Sequence, residues 1–373
     1  MGFRLESTKP TPKHKNRTKQ KSMKLRIQLL GALALAAALP AFAQVKINDT
    51  VTVTGWATGS YQYTQPSPGT ATDSLNLDAA LLQANITPAK KVTATVSLFY
   101  RPAAEGGVSP NGSEVTLLDA YIAYDCGGGV TITAGKFLSY LGYESFYSID
   151  DNMISLANQQ LLAPIPGYHD GIKLDYSPDK TDTLGFSIAD SEYQKPGYAA
   201  TAGDGSLRHQ AGFEGYYTNT AITNLTVWLG AGYETPTKPG YDTGGVTEQF
   251  GPKGQVLQNA HDVSVGDLWI SYVVDKNNDT FAAEEIYKSG GYLNQGSDWL
   301  LYYQQNFTGK VSSWFCFSGE NVDSGASYTR YSIAPNYAYN ASLSFRLQYS
   351  YTAYKSYTIN NASFYGAELL FKF

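Results

Sequence analysis

The chain has 373 residues, with 27 Lys and Arg against 32 Asp and Glu; only 16 % of residues are charged while 14 % are aromatic, including 30 Tyr and 16 Phe. The excess of acid argues against nucleic acid as a partner, because phosphate binding needs a basic surface. A mean hydropathy of −0.28 excludes a bundle of membrane-spanning helices, but not strands that alternate apolar and polar residues through a bilayer.

Residues 1–22, "MGFRLESTKPTPKHKNRTKQKS", form a basic extension that is expected to lie outside the mature protein. From Met23 the sequence "MKLRIQLLGALALAAALPAFAQ" has a basic start, an apolar run from Ile27 to Leu39 and a small-x-small end at Ala41-Phe42-Ala43. This is the pattern of a secretory signal peptide over 23–43, cleaved before Gln44. Residues 44–373 then form a single exported domain. Removing 1–43 takes away nine of the 27 basic residues but only Glu6 among the acids, so the exported chain is strongly acidic. No second long apolar run follows, so no helical span is expected. Cys126 and Cys316 are too far apart in sequence to form a disulfide framework, and both are read as free thiols.

From Val51 the apolar period is two. "VTVTGWATGSYQYT" puts Val51, Val53, Ala57, Tyr61 and Tyr63 on one face, with Thr52, Thr54, Trp56, Thr58 and Ser60 on the other. "KVTATVSLFYR" and "ASLSFRLQYSYTAY" repeat the pattern, the latter with Leu343, Phe345, Leu347, Tyr349 and Tyr351 opposite Ser344, Arg346, Gln348 and Ser350. Segments of this kind fall near 51–65, 74–87, 91–101, 114–124, 130–137, 169–177, 183–192 and 210–218. They continue near 225–234, 262–274, 279–289, 298–306, 311–320, 328–336, 341–354 and 361–373. Many match the roughly 9–11 residues of a tilted membrane-crossing strand. The 279–289 and 311–320 segments have mixed faces, and Leu300, Trp314 and Leu370 stand on the otherwise polar side.

Short links ("PAK", "DCGGG", "SPDKTD", "NTAITN", "FTGK") follow the even segments, and longer ones, including 138–168 and 235–261, follow most of the odd segments. Such alternation predicts an all-β fold: a closed antiparallel transmembrane β-barrel of about 16 strands, with 14 or 18 as alternatives, short periplasmic turns and long extracellular loops. The last stretch, "NASFYGAELLFKF", places Tyr365, Leu369, Phe371 and Phe373 on one face. Its terminal aromatic after alternate apolar residues resembles the signal that the outer-membrane assembly machinery reads on its clients.

Two stretches resemble a family. Ile132–Tyr176 contains Gly135-Lys136-Phe137 at a strand end, Gly142-Tyr143-Glu144, Pro164 and Pro166, and His169-Asp170-Gly171 opening the next strand. This block, together with "GWATGSYQYT", resembles the OmpL-like β-barrel porins of Gram-negative bacteria. The resemblance implies an outer-membrane location, passive diffusion of small hydrophilic solutes, and contact with outer-membrane lipid and lipopolysaccharide; a homo-oligomer is compatible with it.

General porins, which the strand count resembles, fold their third external loop into the barrel. Here that loop is 138–168, and it would narrow the pore. Glu144, Asp150 and Asp151 then form the acidic side of an eyelet, facing Arg101, Arg330 and Arg346 on the wall. A pore selects by diameter and by charge at its narrowest point, and the acidic chain suggests a mild cation preference. His169 is read as anchoring the loop to the wall. Surface exposure of the loop acids is the competing explanation.

No catalytic residue, cofactor or metal ligand is assigned. Of the histidines of the exported chain, His209 and His261 lie in or beside long links, and no Gly-x-Ser-x-Gly accompanies them. Two alternative functions stand beside the diffusion pore. One is a substrate-specific channel, in which Trp56, Trp228 and Trp269 stack sugars; the other is a structural or adhesive barrel with a plugged lumen.

Overall fold

The computed structural model describes residues 45–100, 115–144, 153–155, 157, 162, 164–189, 211–235, 262–274, 278–290, 295–355 and 359–373. The basic extension, the signal peptide, Arg101, Asp150 and Asp151 lie outside the described residues.

A two-residue strand β1 (Val45–Lys46) precedes sixteen longer ones. The first eight are β2 (Val51–Ser67), β3 (Thr72–Ala89), β4 (Val92–Tyr100), β5 (Val115–Gly127), β6 (Val130–Leu138), β7 (Tyr168–Tyr176), β8 (Asp182–Ala189) and β9 (Gly212–Asn219). The second eight are β10 (Leu225–Glu234), β11 (Val263–Val273), β12 (Thr280–Gly290), β13 (Gly296–Asn306), β14 (Val311–Val322), β15 (Ser327–Ala338), β16 (Leu343–Lys355) and β17 (Asn361–Lys372). Each of β2 to β17 pairs antiparallel with its sequence neighbour, and β17 pairs with β2 to close the ring. The expected sixteen-strand closed barrel is the observed fold.

Alternation assigns the two faces. Leu347, Tyr349, Ile172, Leu229 and Phe281 point outward and are 40–59 % exposed. Apolar exposure on this scale around the whole wall is untenable in water but suits a hydrocarbon solvent. Between them, Arg346, Gln348, Ser350 and Thr352 on β16 are buried on the inner face. The mixed segments prove to be full strands. On β12 the inner row is Ala282, Glu284, Ile286 and Lys288, all buried, and on β14 it includes Cys316, Ser318 and Glu320. Cys126 is exposed beside a turn, Cys316 is buried, and both are free.

Turns hold the register at the short end. In "DCGGG", Gly128 and Gly129 both take positive φ, and a Cβ on Gly129 would stand 2.1 Å from the Ser177 carbonyl oxygen, so only glycine fits there. At the β7–β8 turn, the Thr181 N–H and hydroxyl both donate to Asp179, which holds that exposed carboxyl below its ordinary value.

The seam runs from Asn361 opposite Ser67 to Lys372 opposite Trp56. Beyond it, the Gly55 N–H donates to the Phe373 carbonyl at 3.0 Å, and the Phe373 N–H donates to Gly55 at 2.9 Å. β1 then continues along the same edge, Val45 opposite Val53 and Lys46 opposite Thr52. Asn48 Oδ1 fastens its turn by accepting from the N–H groups of Thr50 and Val51, each at 2.8 Å. The Phe373 ring lies over Gly55: a Cβ there would meet the ring at 2.6 Å and the Leu81 carbonyl at 2.9 Å.

Seam closure should therefore depend on Gly55. Gly55→Val should destabilise the folded barrel by about 1–3 kcal/mol through overpacking, read as a smaller heat-modifiable fraction on gels. Gly266→Ala, whose Cβ meets nothing within 4 Å, should leave that fraction unchanged. Adding Phe373→Ala should restore part of the Gly55→Val loss; no difference between the two glycine variants would disprove the seam role.

Candidate functional site

The segment between β6 and β7 meets the inner wall at one strand after another. On β9, Glu214 accepts from the Ser139 hydroxyl at 2.6 Å and the Tyr140 N–H at 2.9 Å. On β11, Asp267 accepts from the Gly142 N–H at 2.7 Å; on β12, Glu284 accepts from the Tyr143 N–H at 2.5 Å. Farther round, Gln348 on β16 accepts from the Ile154 N–H at 2.6 Å, and Arg346 donates to the Met153 carbonyl at 3.0 Å. Arg330 on β15 donates to the Ser155 hydroxyl. The return path passes Ser318, which donates to the Ala157 carbonyl at 2.7 Å. Glu320 accepts from the Leu162 N–H at 2.7 Å, and Lys288 donates to the Leu162 carbonyl at 3.0 Å. Ser139 N–H finally bonds the Gly167 carbonyl at the loop's own neck.

The chemistry of this wall follows from the loop's needs. A segment without sheet partners carries backbone donors that cannot stay unsatisfied when buried. Carboxylates make strong, short charge-assisted bonds to N–H groups, and inward strand positions supply them at intervals. Apolar loop residues complete the contact. Met153 and Ala157 pack with Leu300, Tyr302 and Cys316, while Leu141 packs with Trp228, Val265 and Ile286. The Leu300 and Trp314 departures from alternation are thus places where the loop covers the wall; Leu370 is buried on the inner face as well.

A ladder of rings supports the same contact. Tyr216 stacks on Trp228 with centroids 5.8 Å apart and 11° between planes, and Trp228 stacks on Trp269 at 5.9 Å and 7°. Tyr140 of the loop lies 4.6 Å from Tyr216, and Tyr143 lies 5.4 Å from Trp269. Trp56 is apart from this ladder, edge-on to Phe99 at 6.0 Å.

Each site residue expected from sequence has a definite place where it is described. Glu144 is 8 % exposed; its carboxylate accepts from the Ala157 N–H at 2.8 Å and from the Tyr302 hydroxyl. Arg330 and Arg346 contact the loop, and Arg346 also pairs with Glu368 at 3.2 Å in a buried setting. His169 is fully buried, with Nε2 3.4 Å from Glu214 Oε1 and its ring edge-on to Phe137. Tyr365, Leu369, Phe371 and Phe373 lie on the outer face along the seam, with Tyr365 opposite Tyr63 and Leu369 opposite Gly59. Sequence reasoning missed Glu214, Asp267, Glu284, Glu320 and Lys288. Their signal was present, as charged residues at inward mid-strand positions, where a water-filled lumen alone would not require burial.

The family model described as "Putative beta-barrel porin-2, OmpL-like" matches residues 50–266. The chain belongs to this porin family. No curated protein matches it in sequence. Among solved structures it is similar to Salmonella typhi OmpF in complex with daunomycin, with a TM-score of 0.62, 11 % identity, and coverage of 88 % of this chain and 100 % of the other. Pseudomonas putida OprB gives 0.61 and 11 %, covering 87 % and 94 %. The anion-selective porin from Comamonas acidovorans gives 0.59 and 12 %, covering 87 % and 99 %. At such identity the likeness is one of fold. Family and fold together make this chain an outer-membrane porin.

Removing one wall acceptor should loosen this porin's loop without opening the barrel. Glu214→Ala deprives Ser139, Tyr140 and His169 of a shared buried partner and should cost about 3–5 kcal/mol, against about 1–3 kcal/mol for Glu284→Ala. Protease cleavage within 139–167 should accelerate in that order while the strands stay protected. Equal resistance in both variants would show that these bonds do not hold the loop.

Proposed function

We propose that this porin passes small hydrophilic solutes by passive diffusion through a lumen narrowed by the 138–168 loop. The observation that supports the reading is the run of hydrogen bonds from described loop residues to β9, β11, β12, β14, β15 and β16. A pore of this kind makes and breaks no bond; it selects by width and by the field at its narrowest section.

The eyelet charges in this reading are Glu144, Asp150 and Asp151 on the loop and Arg101, Arg330 and Arg346 on the wall. Glu144, Arg330 and Arg346 act on the aperture by fastening the loop, since each forms a hydrogen bond to it. His169 serves the same seat through Glu214. A sugar-stacking channel is the weaker reading, because Tyr216, Trp228 and Trp269 cover one another's faces. Residues 23–43 act as the export signal, with 1–22 ahead of it. The closing strand, ending at Phe373, is the segment offered to the outer-membrane assembly machinery, and the exposed apolar wall meets lipid and lipopolysaccharide.

Refolded chain 44–373 should conduct in planar bilayers, and replacing 145–163 with a short Gly-Ser link should raise single-channel conductance at least two-fold. Conductance indifferent to the replacement would remove the loop from the aperture. Absence of any conductance would favour the plugged structural barrel instead.

A further inference from the structure

The described loop residues bond the wall from β9 to β16, and among the described residues open space lies along the opposite wall. A cavity of about 340 Å³ lies there along β3 to β7, lined among others by Asn85, Thr95, Tyr121, Thr133, Lys173 and Asp175. Most of its lining offers hydroxyl and amide groups. Its two charges are of opposite sign and stand two residues apart on the inner face of β7, roughly 6–7 Å along the strand.

The two charges attract one another, and Glu214 and Asp119 add to the field at Lys173, but both groups keep hydrogen-bonding capacity. Among the described residues, the Lys173 ammonium has no hydrogen-bond or ion-pair partner; it rests 5.2 Å over the Phe137 ring and 4.9 Å over Tyr140. Cation–π contact positions an ammonium but leaves its N–H donors unspent. Asp175 accepts from the Tyr140 and Tyr216 hydroxyls, at 3.0 Å and 3.2 Å, through Oδ1 alone. Its Oδ2 has no partner among the described residues. The other described inner-face cations differ in this respect, since Lys288, Arg330 and Arg346 all bond the loop. Tyr140 links the cavity to the loop, because it touches both Lys173 and Asp175.

We propose that this cavity is a solute subsite for small zwitterions of the amino-acid class, with Lys173 contacting the carboxylate and Asp175 the ammonium. A single anion would face the Asp175 charge, and a single cation would face Lys173. A neutral polyol offers neither group a charge-assisted bond, whereas a solute carrying both signs can bond each with the opposite charge, and the surrounding hydroxyls suit its polar remainder. The inference rests on the diffusion-pore reading and sharpens its solute class.

The test is osmotic swelling of liposomes holding the refolded chain 44–373, comparing L-serine with erythritol, an uncharged solute of similar size. Serine should enter at least three-fold faster than erythritol through the wild-type barrel. Lys173→Gln should bring that ratio to about one, and Lys173→Arg should keep it. The wild-type ratio needs no variant, so a ratio near one already overturns the subsite even where Lys173→Gln fails to fold. A preference for serine that survives in a folded Lys173→Gln barrel overturns it too. No swelling with either solute would instead bring down the pore reading itself, and the subsite with it.

Discussion

A backbone amide in hydrocarbon has no water to bond, and the whole architecture answers that one constraint. Pairing each strand with its sequence neighbour satisfies every strand except the first and last, which leaves two raw edges. Pairing β17 with β2 removes both, from Asn361 opposite Ser67 down to Lys372 opposite Trp56. The chain terminus must then come within hydrogen-bond range of Gly55, and the glycine there leaves space for the Phe373 ring. β1 takes over the edge of β2 where β17 ends.

Closure creates a second problem, because a sixteen-strand ring encloses more space than side chains alone fill. Described residues of the segment after β6 lie against the inner wall, bringing unpaired backbone with them. Acids at inward positions meet it, with Glu214, Asp267, Glu284 and Glu320 each accepting a loop N–H. Cations and amides meet the carbonyls and hydroxyls, as Lys288 and Arg346 do. Much of the acidity of the inner wall therefore has a structural use, and the chain's net charge is a poor guide to the field a solute meets. The charges a solute can bond directly are those the loop does not engage, of which Lys173 and Asp175 are a described pair.

Strand positions were legible because lipid and lumen impose a period of two on every crossing. Val96, Leu98, Leu347 and Tyr349 follow it cleanly and face outward. The same rule failed at Leu300, Trp314 and in the 279–289 and 311–320 segments, where inward residues are apolar because they pack against a loop. Those departures were signals of contact, though alternation alone could not say with what. Glu144, Arg330, Arg346 and His169 lie on the loop or the inner wall, with partners that no local pattern names. Met153 and Arg346 are 193 residues apart in sequence, and Glu144 and Tyr302 are 158 apart.

By itself, then, the sequence determined the class of fold, the number of crossings, which face of most strands meets lipid, and the family. The first three follow from local alternation and link length, and the family from the motifs of Ile132–Tyr176. Only the tertiary structure decided which wall groups the described residues of the 138–168 segment bond, and which charges they leave unengaged. Those depend on how far round the ring the loop reaches before its backbone finds acceptors, a distance that closure of the barrel sets and no local pattern records.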